Sequence, residues 1–183
     1  IGTMRDLGDP LGVNLALADR EDRDDPVPRV LPAGAAFYRQ GRYGRFVGRP
    51  VADGDALCAG IRRAAADPRV HWIKLVATGI IDFRKGAVTS PPQFSPGELK
   101  AAVDLAHDLG KRVAAHCSGT EGVRAAVEAG ADTIEHGYFI DRAAVDLLCR
   151  KHLAWTPTFA PVHVQWRHAL VCGWDAPARD RLR

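Results

Sequence analysis

From about Pro68 onward, short apolar runs alternate with amphipathic stretches, a pattern that predicts parallel strands joined by helices. HWIKLVATG is the first clear strand. The segment SPGELKAAVDLAHDLGK predicts a helix, with Ser95 as N-cap, Pro96 at the first helical position, Glu98 completing a capping box and Gly110 as the stop. Its apolar residues, Leu99, Ala102, Val103, Ala106 and Leu109, fall on one helical face. The unit then repeats: a strand RVAAHC, a helix across GVRAAVEAG ended by Gly130, a short strand DTIEHG, a helix from an Asp141 cap to Lys151, and a strand across AWTPTF.

The N-terminal third has a weaker pattern. IGTMRDLG and PRVLPAG read as strands, and the polar, proline-broken REDRDDPVP between them reads as a surface loop. YRQGRYGRFVGRPVADGD, rich in glycine and arginine, reads as a long loop after the second strand, placed to hang over an active site. Strands are therefore expected near Thr3, Val30, Ile73, Val113, Ile134 and Trp155. Tight α/β units, each closing its strand with a polar side chain, favour a TIM-type (β/α)8 barrel over a doubly wound sheet. Six parallel strands do not close such a barrel, and 183 residues fall short of the roughly 250 typical of a complete one. The expectation is one partial barrel domain over residues 1–183, about strands two to seven, with the first and eighth absent.

Composition narrows the function classes. Hydrophobic residues make up 46% and charged residues 26%, enough apolar material for a core and against a disordered chain. The net charge of +3 is scattered, with no basic stripe to neutralise phosphates, so nucleic acid is not an expected partner. Cys58, Cys117, Cys149 and Cys172 show neither CxxC pairing nor a disulfide-scaffold spacing and read as reduced thiols. The start IGTMRDLG lacks the features of a secretion signal, and no segment reaches about 18 uninterrupted apolar residues. A cytoplasmic location, no membrane partner and room for a homo-oligomer are the expectations.

Three polar residues stand at or near strand ends where an apolar core would otherwise continue: Lys74 in WIKLV, His116 in VAAHC and His136 in TIEHG. In a parallel barrel the carboxyl ends of the strands converge on one face, so residues distant in sequence can meet there. Two neutral imidazoles on adjacent strands suit one zinc-sized ion; the plain alternative is a pair of hydrogen-bonded core histidines. Burying the Lys74 ammonium unpaired would be costly. A desolvated, neutral amine can add carbon dioxide to form a carbamate able to bridge two metals, whereas the plain alternatives are a lysine paired with a buried carboxylate or one that snorkels past the strand end.

WIKLVATG, followed by QFSPGELKAAVDLAHDLGKRVAAHCSGTEGVRAAVEAGADTIEHGYFID, resembles the amidohydrolase superfamily in its imidazolonepropionase-like and prolidase-like branch. The resemblance runs from about Ile1 to Pro161, with TMRDLG similar to the family's second strand and TPTF to its seventh. It implies that Lys74, on the fourth strand, is carbamylated and bridges two metals, and that His116 and His136, ending the fifth and sixth, bind one of them. Zinc is the implied ion, as one or two divalent cations. The family's HxH motif on the first strand and its catalytic aspartate on the eighth have no counterpart here, so the general base is expected outside the chain. Tyr43 stands where relatives often carry a GHG-type histidine, and ATGI follows Lys74 where SGG is common. Tyr43 and Tyr138 are the substrate-contact candidates, Tyr138 having a structural tyrosine as its plain alternative.

The implied activity is metal-dependent hydrolysis of a C–N bond in a small amide, cyclic amide or dipeptide-like substrate. A mononuclear site that does not use Lys74 is the close variant. Two other readings stay open: a catalytically inactive truncated barrel fragment, and a metal-free aldolase using Lys74 as a Schiff base, which leaves the two histidines unexplained.

Overall fold

The computed structural model describes residues 1–20 and 28–180. Most of the loop expected at REDRDDPVP falls on residues 21–27 and lies outside the described residues. In chain order the elements are β1 (Thr3–Asp6), α1 (Val13–Ala18), β2 (Arg29–Pro32), β3 (Ala36–Arg39), β4 (Gly48–Val51), α2 (Gly54–Ala65), β5 (Trp72–Val76), β6 (Ile81–Asp82), β7 (Ala87–Val88), α3 (Pro96–Asp108), β8 (Arg112–Cys117), α4 (Thr120–Ala129), β9 (Thr133–His136), α5 (Arg142–Arg150), β10 (Ala154–Thr156), α6 (Phe159–Arg167) and α7 (Ala176–Asp180).

Six strands form one parallel sheet in the order β10-β9-β8-β5-β3-β4, while β1 pairs with β2 in parallel. β2 and β3 are separated only by a bend at Ala33–Ala35, and the His71 amide donates to Pro32 O across 2.8 Å, which carries the surface from β5 through β2 to β1. The sheet must curl. Laid flat, β1 and β9 would stand four strand spacings apart, roughly 19 Å, yet Arg5 on β1 reaches Glu135 on β9 at 2.9 Å. This chain is therefore an arc of a parallel α/β barrel, with its concave side as the barrel interior. Among the described residues β1 and β10 each pair on one side only.

Strand alternation sorts the core. Ile73 and Leu75 of β5, Val113 and Ala115 of β8 and Ile134 of β9 face outward, packing against Leu57 and Ile61 of α2, Leu99 and Val103 of α3, and Val123 of α4. On the concave side, Trp72 and Ala114 form a layer with Ala33, and Val76 forms another with Ala36 and Tyr38. Lys74 stands on β5 between Trp72 and Val76.

The helices start and stop where the local chemistry predicts. α3 carries the full capping box between Ser95 and Glu98, α4 ends on Gly130 in the left-handed region, and the Asp141 side chain accepts the amide of Ala144 at the start of α5. The stretch expected as one long loop, YRQGRYGRFVGRPVADGD, is corrected: β3 extends to Arg39, β4 occupies Gly48–Val51, and α2 begins at Gly54 under an Asp53 cap. β4 hides in the sequence because Arg49 and Pro50 break its apolar pattern. As an edge strand it tolerates both. All four cysteines are free thiols, and no helix among the described residues is long and apolar enough to cross a membrane.

Candidate functional site

Register brings the three polar candidates together. Lys74 lies opposite Ala114, Val76 opposite His116, and Cys117 opposite His136, so the two histidines sit above Lys74 on adjoining strands. The imidazole rings of His116 and His136 are 4.7 Å apart, edge to face.

His136 should not face inward. On β9, Ile134 points to the helices and Glu135 to the interior, so simple alternation would send residue 136 outward with Ile134. A left-handed backbone at φ 74 swings it round, at a cost of about 1 kcal/mol or more for a residue with a Cβ. The turn is held from both sides: the Trp155 indole N–H donates to His136 O at 3.0 Å, and the Gly137 amide donates to Cys117 O at 3.0 Å. Gly137, itself at φ 61, leaves room for the indole; a Cβ there would lie 2.6 Å from Trp155 Nε1.

The tautomer of His136 follows from its neighbour. With the Thr158 hydroxyl proton directed to Thr156 O at 3.2 Å, the same hydroxyl accepts from His136 Nδ1 at 2.9 Å. The neutral ring therefore carries its proton on Nδ1 and keeps a lone pair on Nε2. His116 Nε2 is buried with no hydrogen-bond partner among the described residues. Burial pushes the His116 pKa down to about 3, with the charges of His136 and Lys74 acting in the same direction and a backbone hydrogen bond to Gly79 opposing them. His136 is also lowered, chiefly by burial. Two neutral imidazoles, one with an orphaned nitrogen and one with a lone pair set by its partner, are what two ligands of a soft-to-borderline divalent ion require.

Lys74 is 6% exposed, and burial lowers its pKa to about 8 against the opposing charge of Glu135. Glu135 is already committed. It accepts from Arg5 Nη2 at 2.9 Å and from the Thr133 hydroxyl at 2.6 Å, while Arg5 Nη1 donates to Thr133 at 3.0 Å and the guanidinium lies 4.7 Å over the Trp72 ring. Lys74 makes no ion pair of its own among the described residues, while the charge of Glu135 still favours its ammonium. Among those residues no group of three or more His, Cys, Asp or Glu side chains could hold a metal. The donors gathered here are two imidazoles and one amine.

Both tyrosine candidates flank the histidines. Tyr43, raised in pKa by burial, lies 5.5 Å from the His116 ring; Tyr138 stacks on His136 at 5.9 Å and donates its hydroxyl proton to Thr158 O. Together with Ile80, Ile81 and Phe83 they line an open pocket of about 180 Å3 with both histidines in its wall. Gln93 steadies the rim, donating to Tyr43 O and Thr78 O while its own oxygen accepts the Arg39 amide.

Two other histidines stand elsewhere: His107 pairs with Asp132 at 2.9 Å on the outer surface, and His152 sits in the turn just past α5. Asp175 caps α7 through the Ala178 amide. Sequence reasoning gave no role to Arg5, Glu135, Thr133, Thr158 or Gln93. Only Glu135, a charge inside an apolar strand, carried a readable signal.

Residues 15–172 match the sequence model of the amidohydrolase family. The chain is 33% identical over 155 residues to an uncharacterized protein of Mycobacterium tuberculosis, covering 85% of this chain and 40% of that protein. It is 31% identical over 149 residues to the ochratoxinase of Aspergillus niger, covering 74% of this chain and 29% of that enzyme. Among solved structures it superposes on a Xaa-Pro dipeptidase with a TM-score of 0.79 at 27% identity, over 100% of this chain and 48% of that one. The A. niger ochratoxinase structure, at TM-score 0.76 and 22% identity, covers 99% of this chain and 47% of that chain and shares the fold. The chain thus spans less than half the length of each of these relatives.

Proposed function

The chain belongs to the amidohydrolase family, and from that premise we propose that it supplies part of the metal shell of a hydrolase cleaving a C–N bond in an amide, cyclic amide or dipeptide-like substrate. The reading is carried by the His116–His136 pair: an imidazole nitrogen buried without a partner, 4.7 Å ring to ring from a second imidazole whose Nε2 is left free by Thr158. His116 and His136 would hold a zinc-sized ion there, which would supply Lewis-acid polarisation of a substrate carbonyl and lower the pKa of a water.

The rest falls to the chain's own residues. Thr158 fixes the ring orientation and tautomer of His136, and the pocket wall of Tyr43, Phe83 and Tyr138 limits bulk water around the reacting carbonyl. With a pKa of about 8, roughly one Lys74 in ten is neutral at pH 7. A neutral amine can add carbon dioxide, releasing one proton to solvent and leaving a carbamate whose oxygens extend the donor set. Arg5 pairs with Glu135, whose charge still favours the ammonium, and its own positive charge disfavours it. The aspartate that moves protons in the family is expected outside the described residues, since Asp175 is occupied with its helix cap.

The test is elemental analysis together with amide hydrolysis on the full-length protein and its Lys74→Ala, His116→Ala and His136→Ala variants. The parent should carry about one to two zinc-like ions, and the variants should lose metal and activity together. A metal-free parent whose variants behave as it does would refute the reading. A catalytically inactive piece is the second reading for the 183 residues taken alone, favoured by the absence among the described residues of three His, Cys, Asp or Glu ligands in one place. Hydrolysis by the full-length protein but not by the 183-residue chain would identify it.

A further inference from the structure

Tyr43 lies in the turn between β3 and β4, yet its ring stands 5.5 Å from that of His116 on β8, with β5 in between. Hydrogen bonds inside the turn, from Arg42 N to Arg39 O and from Val47 N to Gly44 O, give it shape but do not aim it across the sheet. The aim comes from Gln93, which is 4% exposed and belongs to the segment leading from β7 into α3.

Gln93 uses its whole side-chain amide. Nε2 donates to Tyr43 O at 2.8 Å and to Thr78 O at 3.0 Å, and Oε1 accepts the Arg39 amide at 2.9 Å. Both carbonyls only accept and the Arg39 N–H only donates, so the side-chain amide has one orientation here. Its main chain is held as firmly: the Gln93 amide donates to Ala77 O at 2.7 Å, and Gln93 O accepts from Arg39 Nε at 3.1 Å. Arg39 in turn pairs with Glu98 at the start of α3 and lies over the Phe94 ring. The far side of this clamp is the frame of His116. Ala77 and Thr78, whose carbonyls Gln93 grips, both donate their own amides to His116 O, at 2.9 and 3.4 Å. Thr78 Oγ1 accepts the Ser118 amide at 3.1 Å, and Ser118 Oγ accepts that of Tyr138 at 3.3 Å. A connected run of hydrogen bonds thus leads from Tyr43 through Gln93 to the main chain of His116, and on to Tyr138.

Resting on the hydrolase reading above, we propose that Gln93 is a positioning residue: it fixes Tyr43 beside His116, and so sets the substrate-facing wall next to the metal-binding nitrogens without touching them. Two carbonyls converging from different loops, opposite one N–H, call for a primary amide, since neither a carboxylate nor an alcohol offers two donors and an acceptor. Removing that amide leaves Tyr43 O, Thr78 O and the Arg39 N–H without this partner, and buried groups left unpaired seek water. The Tyr43 turn, with Gly41, Arg45 and Phe46 exposed, is the side able to lift toward it, whereas Ala77 and Thr78 are buried.

The test places 3-fluorotyrosine in the full-length protein, assigns the Tyr43 signal by its loss in Tyr43→Phe, and records fluorine NMR before and after loading Co2+ as a paramagnetic stand-in for zinc. Gln93→Met, close in length but unable to make these hydrogen bonds, should displace the Tyr43 signal in the metal-free protein. With Co2+ bound it should also lose much of the paramagnetic broadening, which falls steeply with distance, while Co2+ uptake and the visible bands of histidine-bound Co2+ match the parent. Gln93→Glu, protonated by burial and left with one donor, should fall between the two. Arg42→Met, which cuts the separate tie from Arg42 Nη2 to Pro91 O at 2.7 Å, should keep the parent signal. A Tyr43 signal unmoved in both Gln93 variants, an equal displacement in Arg42→Met, or loss of Co2+ from Gln93→Met would overturn the proposal. If Gln93→Met does not fold, Gln93→Glu decides alone, and a parent-like spectrum from it refutes the role. The two readings fail separately. A parent that takes up no Co2+ removes the hydrolase reading, while the metal-free spectra still report whether Gln93 fixes Tyr43; Co2+ held by variants whose Tyr43 stays in place removes the role of Gln93 alone.

Discussion

Replacing Arg5 by Met tests whether the cross-barrel ion pair supports the site. The pair joins strands at opposite sides of the arc, with the Glu135 side chain 7% exposed and that of Arg5 24% exposed. Removing one partner of a fully buried pair costs about 3–5 kcal/mol, because the other charge is stranded. Here the outer quarter of Arg5 is wet and the Thr133 hydroxyl still donates to Glu135, so about 2–3 kcal/mol is the reasoned loss. Met keeps much of the contact with Trp72, which isolates the charge. Urea unfolding of the metal-free protein followed by tryptophan fluorescence should show a midpoint about 1 M lower, at a slope of about 2–3 kcal/mol per M. Adding Glu135→Leu should recover most of the loss, since an apolar pair of similar volume is often neutral to stability. A single variant within about 0.5 kcal/mol of the parent, or strictly additive losses, would refute the strut.

Three further outcomes follow from the same geometry. Thr158→Ala frees the His136 tautomer and should lower metal affinity about 10- to 100-fold by competition titration while leaving the unfolding midpoint near that of the parent, if the threonine acts only through the ring. His116, with a folded pKa of about 3 against about 6.5 unfolded, binds fewer protons folded than unfolded between those values. Stability of the metal-free protein should therefore be complete above pH 6.5 and fall by roughly 1.4 kcal/mol per pH unit below it, and His116→Gln should flatten that slope. Gly137→Ala should cost about 1–3 kcal/mol, from its positive φ and the indole in its path, and should weaken metal binding by disturbing the inward turn of His136; unchanged affinity would separate the turn from the site.

Much of the fold was legible because its signals are local. The capping box at Ser95, the glycine stop at Gly130 and the Asp141 cap each depend on a few adjacent residues, and each lies where the periodicity puts it. β4 and α2 were not legible from the apolar pattern. β4 gains its place by pairing with β3 from 12 residues upstream in register, Ala36 opposite Gly48, and its exposed Arg49 and Pro50 read as loop until that partner is known. α2 begins with a clear Asp53 cap, but inside a glycine- and arginine-rich stretch whose composition argues for a turn.

The candidate site divides along the same line. Lys74, His116 and His136 could be picked out because each is a polar residue interrupting an apolar strand, and parallel strands deliver their ends to one face whatever the connecting helices do. What makes those ends a site is non-local. By alternation His136 belongs to the helix side, and only a left-handed backbone, pinned by an indole from β10 and by a hydrogen bond from the Gly137 amide to β8, brings it beside His116. Its Nδ1 is engaged by a threonine after β10, and the carboxylate that acts on Lys74, Glu135, is paired with an arginine on β1. Sequence therefore identifies which residues interrupt the core, while their chemical state is set by partners drawn from other strands. The chemistry of this arc consequently depends on β1 and β10, each paired on one side only among the described residues, as much as on the three residues that first stand out.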